Sequence, residues 1–563
     1  SAVRPKQRSA SHQPHSGLDS RLRAAGKRPK HVRPVHPERL HELVGLTARS
    51  HIMAVDKHFG VAHEPTEQAT AQRRGSVADV RKSFWDRIWP VMACGAGLFS
   101  DGYLNNVIGS VSTCLKAIYG ERYSTSPAIS NIGSITFVGT VVGQLVFGFT
   151  SDHWSRKWSL FLSTIILLLF AILGTAAYGA GGSLGGLVAA LTAYRFFLGI
   201  GIGGEYPAGS VACAESTGEL KSGTRNRWFC LFTNVQIDFG FVLGAFVPMI
   251  VVLCTTESHL RAAWRIMLGI GIIPPLSLLY LRLKLNEPEA YKKNCMRHAK
   301  TPWLLAIKFY WFRLCIVGAI WFIYDFSSYS FGIFSSELLS NLLGDDGRLW
   351  VSFGWNTLLN LFYMPGCILG AWTSDWWGPR NALGYVVLAQ AIVGFIFAGV
   401  YGYLAKPEYV GAFVVVYGIF IALGEMGPGN NIGLIASKTS ATAIRGKYYG
   451  ICAAIGKIGA FVGSKTLILL YNDYYNAGHA VKAGQVPFFI SSALCVVSAG
   501  LALFLLPHIG QDTIDEEDAK FRAYLEQNGY DTSQMGIHDP SLDNFVEKGS
   551  AADDGSPSQE LES

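Results

Sequence analysis

Two short turns decide the fold: GFTSDHWSRK at residues 148–157 and SDWWGPR at residues 374–380. In the first turn the acid Asp152 precedes the base Arg156. In the second turn Asp375 precedes Arg380 in the same order. The first turn follows the second apolar segment of the chain and the second turn follows the eighth. This repeat after six segments predicts two related halves. We expect these residues to gate the inner face, each acid pairing with cations or helix ends of the neighbouring half.

The composition around these turns is that of a membrane protein. Of 563 residues, 50% are hydrophobic and 15% are charged, whereas soluble proteins carry about 25% charged residues. Apolar runs of about 20 residues, long enough to cross a bilayer as helices, recur along the chain. They lie at residues 88–110, 128–150, 158–180, 186–213, 227–252, 264–282, 307–334, 350–372, 382–403, 410–434, 446–470 and 485–506. We therefore predict an all-α integral membrane protein with twelve transmembrane helices in two six-helix bundles.

Polar segments divide the chain into five parts. These are a disordered basic N-terminal tail (1–87), a first bundle (88–282), a central loop (283–306), a second bundle (307–506) and an acidic C-terminal tail (507–563). Lysine and arginine are concentrated in the N-terminal tail, in the central loop and after the even-numbered spans. The positive-inside rule therefore predicts that both termini are cytoplasmic.

The charge and the cysteines exclude several classes of protein. The net charge of +7 reflects membrane topology, so no nucleic-acid partner is expected. The ten cysteines form no C-x-x-C pair and are expected to be packing residues rather than metal ligands or disulfides. With no nucleophile–base pair and no metal motif, we expect neither an enzyme nor a cofactor. Membrane lipid is the expected surrounding, and the chain is expected to be a monomer.

Both tails offer two interpretations. Ser76 follows two arginines, as at a basophilic kinase site, or it lies in an idle basic tail beside anionic lipid. The stretch DTIDEEDAKFRAYLEQNG at residues 512–529 predicts one short amphipathic helix, with acids in its first turns. That segment either docks for regulation or is a solvated tail.

Ionisable residues inside the apolar spans are costly and mark candidate functional sites. They are Asp101, Arg195, Glu205, Asp238, Asp325, Glu425 and Lys457. In AIWFIYDFSSYSFGIF at residues 319–334, Trp321, Asp325 and Tyr329 recur every four residues. On a helix these three side chains form one stripe.

The repeated turns, the six-plus-six layout and the charged central loop resemble the major facilitator superfamily. RFFLGIGIGGEYP at residues 195–207 resembles the phosphate:proton symporter branch, with Glu205 in place of the usual Asp. The W-x3-D-x3-Y stripe of the seventh span and the lysine of AAIGKIGA at residues 453–460 match the same branch. The resemblance implies two bundles that rock around a central site.

The resemblance also implies roles for individual residues. The substrate-binding candidates are Tyr206, Gln236, Trp321, Asp325, Tyr329, Asn430, Asn431 and Lys457. Asp101 and Glu205 are implied as proton carriers with Arg195 as counter-charge. Asp325 is the expected coupling acid, because a carboxylate beside a phosphate is repulsive unless it is protonated. The alternatives are a structural ion pair between Asp325 and Lys457, packing roles for the two aromatic residues, and a helix–helix salt bridge that holds the first bundle.

The tenth span departs from that branch, because Gly429 falls where the phosphate symporters have an asparagine. The missing amide predicts room for a bulkier phosphoester, whereas Glu425 is expected to face the inner vestibule. Two further stretches, at residues 225–248 and 260–265, resemble fungal glycerophosphoinositol permeases. Within the first, Asp238 either binds inositol hydroxyls or a cationic head group, or is a buried structural acid.

The leading hypothesis is a proton-coupled importer of glycerophosphodiesters, such as glycerophosphoinositol or glycerophosphocholine, at a fungal plasma membrane. An inorganic phosphate:proton symporter is the nearest alternative. A nutrient sensor that binds without transporting is the alternative from another class. The acids and the lysine in spans 1, 4, 7 and 11 argue against the sensor, which needs no proton relay.

Overall fold

The computed structural model describes residues 84–537, apart from residues 125, 127, 298 and 344–347. This part of the chain is helical, without a β-strand. The first half contains α1 (Phe84–Gly95), α2 (Phe99–Tyr119), α3 (Ala128–His153), α4 (Arg156–Thr175), α5 (Leu184–Gly204), α6 (Val211–Thr217), α7 (Arg225–Phe232), α8 (Asn234–Thr255), α9 (Leu260–Ile270) and α10 (Ile273–Leu283). The connection and the second half contain α11 (Glu289–Asn294), α12 (Trp303–Leu343), α13 (Leu349–Leu361), α14 (Tyr363–Trp376), α15 (Pro379–Leu404), α16 (Val410–Gly424), α17 (Asn430–Lys438), α18 (Arg445–Asn476), α19 (Ala480–Gly500) and α20 (Thr513–Gln527). Short helical turns lie at Ala96–Leu98, Glu121–Ser124, Ala180–Gly182, Glu257–His259, Pro407–Tyr409, Thr442–Ile444 and Leu501–Leu505. Ser76 and nearly all of the predicted N-terminal tail lie outside the described residues.

Ten of the helical segments in the described residues are long and apolar enough to cross a membrane. The first and eighth predicted spans are also helical, as α1–α2 and α13–α14. Their hydropathy is lowered by polar residues such as the buried Asn105 in α2 and the buried Asn356 and Asn360 in α13. The all-α membrane architecture predicted from the sequence is confirmed.

Glycines bring the helices of the first half close together. A Cβ atom on Gly199 of α5 would lie 3.1 Å from the Cα of Gly139 in α3, and one on Gly203 would lie 2.9 Å from the Cα of Gly143. Small residues permit this approach between membrane helices. The glycine ladder of the fourth span therefore has a packing role, which holds the residues that follow it in place.

Two helices change pitch at glutamates that occupy matching places in the two halves. A π-helical turn runs over Glu205–Ser210 after α5, and another runs over Glu425–Gly429 after α16. Each turn contains a proline, which has no N–H to donate to the regular helix ladder. Such turns occur often at functional sites, and both glutamates are buried.

We call the end of the bundle that carries the two repeated turns the basic face. There Asp152 accepts hydrogen bonds from the backbone N–H groups of Gly446, at 2.8 Å, and Lys447, at 2.9 Å, in the first turn of α18. The Arg156 guanidinium lies 2.6 Å from the same carboxylate. The first repeated turn, at residues 148–157, therefore binds the N-terminus of a helix in the other half. A helix N-terminus favours a carboxylate.

A second ion pair supports this contact. Glu215, at the end of the fourth span, lies 3.0 Å from Arg156 and 3.1 Å from Arg445. All three side chains are buried. Glu215 and Arg445 thus join the first half to the second, a pairing that the sequence did not indicate.

The second turn makes the corresponding contact in the opposite direction. Asp375 accepts a hydrogen bond from the Arg227 N–H, at 3.2 Å, in the first turn of α7. Beside it, Asn226 donates to the Ser374 carbonyl at 3.1 Å. Arg380 does not pair with Asp375, since its guanidinium binds the Leu503 carbonyl. Both acids therefore lie at contacts between the two halves, whereas Arg380 anchors the end of the twelfth span.

The described part of the C-terminal tail is helical and docked, so the solvated alternative does not hold for it. α20 begins at Thr513, as the acidic pattern predicts. Asp518 accepts hydrogen bonds from the Thr442 N–H and hydroxyl. Glu517 lies 2.6 Å from Arg313, and α20 therefore packs against the basic face of the second half.

Asp152→Asn is expected to loosen the basic face. The change removes the charge that Arg156 and Lys447 face while keeping the size of the side chain. A hydrogen bond to a charged group contributes about 1.5–3 kcal/mol, and about 1.4 kcal/mol corresponds to a tenfold change in an equilibrium. Cys230 is a native reporter, because it is buried between the halves with its Sγ 3.8 Å from the Ser374 Oγ. We expect its alkylation rate in purified protein, followed by mass spectrometry, to rise about tenfold.

The matched control is Asp473→Asn, which neutralises an exposed acid at the opposite end of α18. That variant should leave the alkylation of Cys230 unchanged. Equal alkylation rates in Asp152→Asn and the unmodified protein would show that the first turn is not a latch.

Candidate functional site

A small cavity lies between the two halves. Its lining includes Tyr206, Asp238 and Phe241 from the first half and Trp321, Asp325 and Lys457 from the second. The space open to water is about 40 Å³, which holds a few water molecules. Because its walls come from both halves, a larger ligand can enter only when the halves move apart.

The predicted stripe on α12 faces this cavity. Trp321, Asp325 and Tyr329 all line it, and each is at most 8% exposed. The ring of Trp321 stands perpendicular to that of Tyr449, with centroids 5.3 Å apart. The 3.6-residue period of a helix thus places all three side chains on the cavity wall.

Lys457 faces the stripe from α18. Its Nζ lies 3.3 Å from the Asp325 Oδ2 and donates to the Tyr329 hydroxyl. It also lies over the rings of Tyr206, at 4.9 Å, and Tyr329, at 3.7 Å. A buried ammonium needs such compensation, and aromatic faces add to it.

The hydrogen-bonded chain continues from Lys457 into the first half. The hydroxyl of Tyr329 lies 3.2 Å from the Asp101 Oδ2, and the hydroxyl of Tyr206 donates to the same oxygen. The two tyrosine hydroxyls are 3.3 Å apart. Asp101 is therefore connected to Lys457 through one side chain, although 356 positions separate them in the sequence.

Arg195 reaches Asp101 only indirectly. Its guanidinium donates to the carbonyls of Ile132, at 2.8 Å, and Leu104, at 3.1 Å, and to the Asn105 side chain at 3.4 Å. Asn105 in turn donates to Asp101. The i, i+4 spacing of Asp101 and Asn105 on one helix was a usable sequence signal, and Arg195 is a counter-charge through this amide.

Glu205 is not paired with Arg195. Its two carboxylate oxygens bind the two terminal nitrogens of Arg282, and Ser163 donates to it at 3.1 Å. Glu205 and Arg282 are both buried. The counter-charge of Glu205 is therefore Arg282 and not Arg195, which corrects the prediction. The pair supports the alternative of a helix–helix salt bridge within the first half. Arg282 was missed because it falls at the end of the sixth span among residues that indicate topology.

Two predicted substrate ligands do not line the cavity. Gln236 turns its amide to the Leu231 carbonyl at 3.3 Å. Asn431 donates to the Gly427 carbonyl at 2.8 Å and accepts from Ser374 at the same distance. Neighbouring helical residues point about 100° apart, and thus one of an adjacent pair faces the cavity while the other faces a packed helix.

Asn430 is the residue of that pair that does line the cavity. Its amide nitrogen donates to the Cys367 carbonyl at 2.7 Å. Its Oδ1 has no hydrogen-bond partner among the described residues. The Asn430 oxygen is therefore free to accept a hydrogen bond from a ligand.

A second group of acids lies beside the first. The Asn234 amide donates to the Asp238 Oδ2 at 3.0 Å and to the Glu425 Oε2 at 3.1 Å. The Tyr324 hydroxyl lies 2.8 and 2.9 Å from the two oxygens of Glu425. Because both carboxylates approach one nitrogen, they are close neighbours. Glu425 is buried, which corrects its expected position in an inner vestibule.

Gly429 provides the space for this group. A Cβ atom there would lie against the Glu425 carboxylate and 2.8 Å from the Tyr324 hydroxyl. The side chains of Glu425 and Tyr324 thus occupy the place that an asparagine side chain would take. The expectation of extra room for substrate is corrected: the glycine accommodates a second acid at the cavity.

The charges around the cavity do not balance. Within the described ranges, the carboxylates of Asp238, Asp325 and Glu425 lie in its lining or directly against it, whereas Lys457 supplies one ammonium. Asp101 adds a fourth carboxylate, which has Arg195 as a counter-charge through Asn105. Two unit charges about 4 Å apart interact by about 4 kcal/mol at an effective dielectric of about 20. Bound protons or a cationic ligand must therefore offset part of the negative charge. Among the described residues, no group of His, Cys, Asp and Glu is arranged to hold a metal ion.

Comparison with known proteins identifies the family. The chain matches the family described as "Sugar (and other) transporter" over residues 89–301 and 288–521. It is 50% identical to the glycerophosphodiester transporter GIT2 of Candida albicans, over 88% of this chain and 90% of the relative. It is 47% identical to the major glycerophosphoinositol permease GIT3 of the same species, over 87% and 89% of the two chains.

The solved structures give the same fold. The proton:xylose symporter XylE bound to a bromodeoxyglucose is 17% identical and superposes with a TM-score of 0.62, covering 77% of this chain and 98% of its own. This likeness confirms the major facilitator fold of two six-helix bundles. The chain belongs to the sugar (and other) transporter family, whose members are membrane transporters and not enzymes.

Proposed function

We propose that the protein imports glycerophosphodiesters together with protons. The observation that carries the proposal is the buried Lys457, paired with Asp325 in a cavity between the halves and connected to Asp101 through Tyr329. Its relatives are named for glycerophosphodiesters and glycerophosphoinositol. The direction of transport and the plasma membrane are parts of the same proposal. The cytoplasmic termini are a further part of it, and they rest on the basic tail and loops.

Lys457 is the proposed phosphate ligand. A phosphodiester carries one negative charge at physiological pH, which one lysine and neutral donors can balance. The Tyr329 hydroxyl accepts a hydrogen bond from the ammonium, and the Tyr206 hydroxyl lies 3.3 Å from that of Tyr329. Both hydroxyls can donate to phosphate oxygens there. The approach of the phosphate places it next to Asp325, and this contact is repulsive unless that carboxylate is protonated.

Asp325 is the proposed coupling acid. Protonation frees Lys457 for the phosphate, and loss of the proton restores the ion pair and expels the anion. Asp101 shares a hydrogen-bonded tyrosine with Lys457, so it is the proposed proton acceptor in the first half. The contacts of Asp152 and Asp375 at the basic face are the proposed gate that alternates with the opposite face.

Uptake by purified protein in vesicles tests the function. We expect labelled glycerophosphoinositol or glycerophosphocholine to accumulate in response to an inward proton gradient, with weak competition by phosphate. Accumulation of phosphate alone would identify an inorganic phosphate symporter instead. Binding of these compounds without accumulation would identify a sensor.

Lys457→Ala is expected to lower kcat/KM for diester uptake roughly 100-fold or more, because truncating one partner of a buried charge pair costs about 2–5 kcal/mol. Lys465→Ala is the matched control, since Lys465 is two turns further along α18 and lies over the Phe461 ring. That control should retain uptake. Normal uptake by a correctly reconstituted Lys457→Ala protein would exclude Lys457 from the site.

Asp325→Asn is expected to separate exchange from accumulation. The amide mimics the protonated acid, so the diester still binds and exchanges across the membrane, but a proton gradient no longer drives its accumulation. Counterflow and gradient-driven uptake measured on the same vesicles distinguish the two activities. Unchanged gradient-driven accumulation would show that Asp325 is a structural partner of Lys457.

A further inference from the structure

The two glutamates at the π-helical turns differ in their electrostatic surroundings. Glu205 is held by both terminal nitrogens of Arg282. Glu425, at the matching place in the second half, has no lysine or arginine partner among the described residues and contacts the neutral side chains of Asn234 and Tyr324. The second half therefore leaves unpaired the charge that the first half neutralises.

Asp238 is a second acid for which the described residues supply no lysine or arginine partner. It is 1% exposed, and its Oδ1 has no hydrogen-bond partner among the described residues. The Cys367 thiol lies within hydrogen-bonding reach of this carboxylate and also donates to the Met364 carbonyl at 3.3 Å. Asp238 lines the same cavity as Lys457, and its free oxygen is thus available to a ligand there.

Aromatic rings surround the two acids. Tyr324 lines both the central cavity and the adjoining space in which Glu425 lies, and Tyr363 lines that adjoining space. The ring of Phe241 lies 5.5 Å from that of Tyr363. Carboxylates among aromatic faces suit an organic cation, because both attract positive charge.

These observations assign a head-group site. We propose that Asp238 and Glu425 bind the positively charged head group of a zwitterionic glycerophosphodiester, an ester of an amino alcohol such as choline or ethanolamine. The proposal rests on the proposed function, in which Lys457 holds the phosphate of the same molecule. The cationic head group would offset the charges of Asp238 and Glu425, and the phosphate would offset that of Lys457. Gly429 leaves the Glu425 carboxylate room beside the cavity.

The test compares three diesters in vesicles: glycerophosphocholine, glycerophosphoethanolamine and glycerophosphoinositol. Asp238→Asn and Glu425→Gln remove one charge each, whereas Asp238→Glu and Glu425→Asp retain it. We expect the charge-removing variants to lower the ratio of kcat/KM for the two amino-alcohol esters over glycerophosphoinositol at least tenfold. The charge-retaining variants should keep that ratio within threefold of the unmodified protein.

Glu408→Gln is the control variant, because Glu408 is an exposed acid in the turn Pro407–Tyr409. It should leave the ratio unchanged. A ratio that is also unchanged in Asp238→Asn and Glu425→Gln would overturn the head-group site. An equal loss for all three diesters would overturn it as well and would place the two acids in proton coupling. A larger loss for glycerophosphoinositol would assign the site to a polyol instead.

A competition experiment on the unmodified protein guards against variants that fail to fold. We expect glycerophosphocholine to compete with labelled glycerophosphoinositol, and free choline to compete better than free inositol. Competition by inositol but not by choline would overturn the proposal. A protein that takes up none of the three diesters contradicts the proposed function itself, whereas uptake of glycerophosphoinositol without competition by choline compounds contradicts the head-group site alone.

Discussion

The buried ammonium of Lys457 is the constraint on which the rest of the site depends. An uncompensated charge in the middle of a membrane protein is costly. The neighbours of the ammonium must therefore supply a carboxylate, hydroxyl groups that accept its hydrogen bonds, and aromatic faces. Asp325 and Tyr329 supply these from the second half, and Asp101 and Tyr206 extend the network into the first. The same contacts that stabilise the lysine therefore join the two halves at the cavity, and a ligand that displaces one of them changes the contact between the halves.

The two halves share a plan that is carried by their turns. Asp152 binds the first turn of α18 and Asp375 binds the first turn of α7, so each half presents an acid to a helix N-terminus of the other. The two halves differ in the partners of the glutamates at the π-helical turns. Arg282 neutralises Glu205, whereas Glu425 has no lysine or arginine partner in the part of the chain that the structure describes. Symmetry thus accounts for the contacts of Asp152 and Asp375, and its loss at one position gives the cavity region an excess of negative charge.

The small cavity and the closed basic face are consistent with each other. Asp152, Glu215 and Asp375 hold the halves together at one end, and the side chains around Lys457 meet across the middle. Passage of a ligand as large as a diester between the cavity and the basic face requires both sets of contacts to change. The pairs of Arg156 and Arg445 with Glu215 are as buried as the pair at Lys457, so their charges need new partners or water when this face opens.

The local patterns in the sequence were sufficient for the membrane helices, the two-half repeat and the stripe on α12. Each depends on hydropathy or on spacing within one helix, which the chain order records directly. The motif of the eleventh span likewise pointed to Lys457 as a partner of Asp325. The C-terminal helix followed from its acidic first turn, although nothing in its sequence indicated where it docks.

Only the tertiary structure decided which helices face one another and how each is rotated. It paired Glu205 with Arg282 rather than with Arg195, turned Gln236 and Asn431 away from the cavity, and brought Asp238 and Glu425 to one amide. The physical reason is geometric: a rotation of about 100° per residue separates a lining position from a packed one. Spacing within a helix fixes which residues share a face, but the packing of twelve helices decides what that face meets.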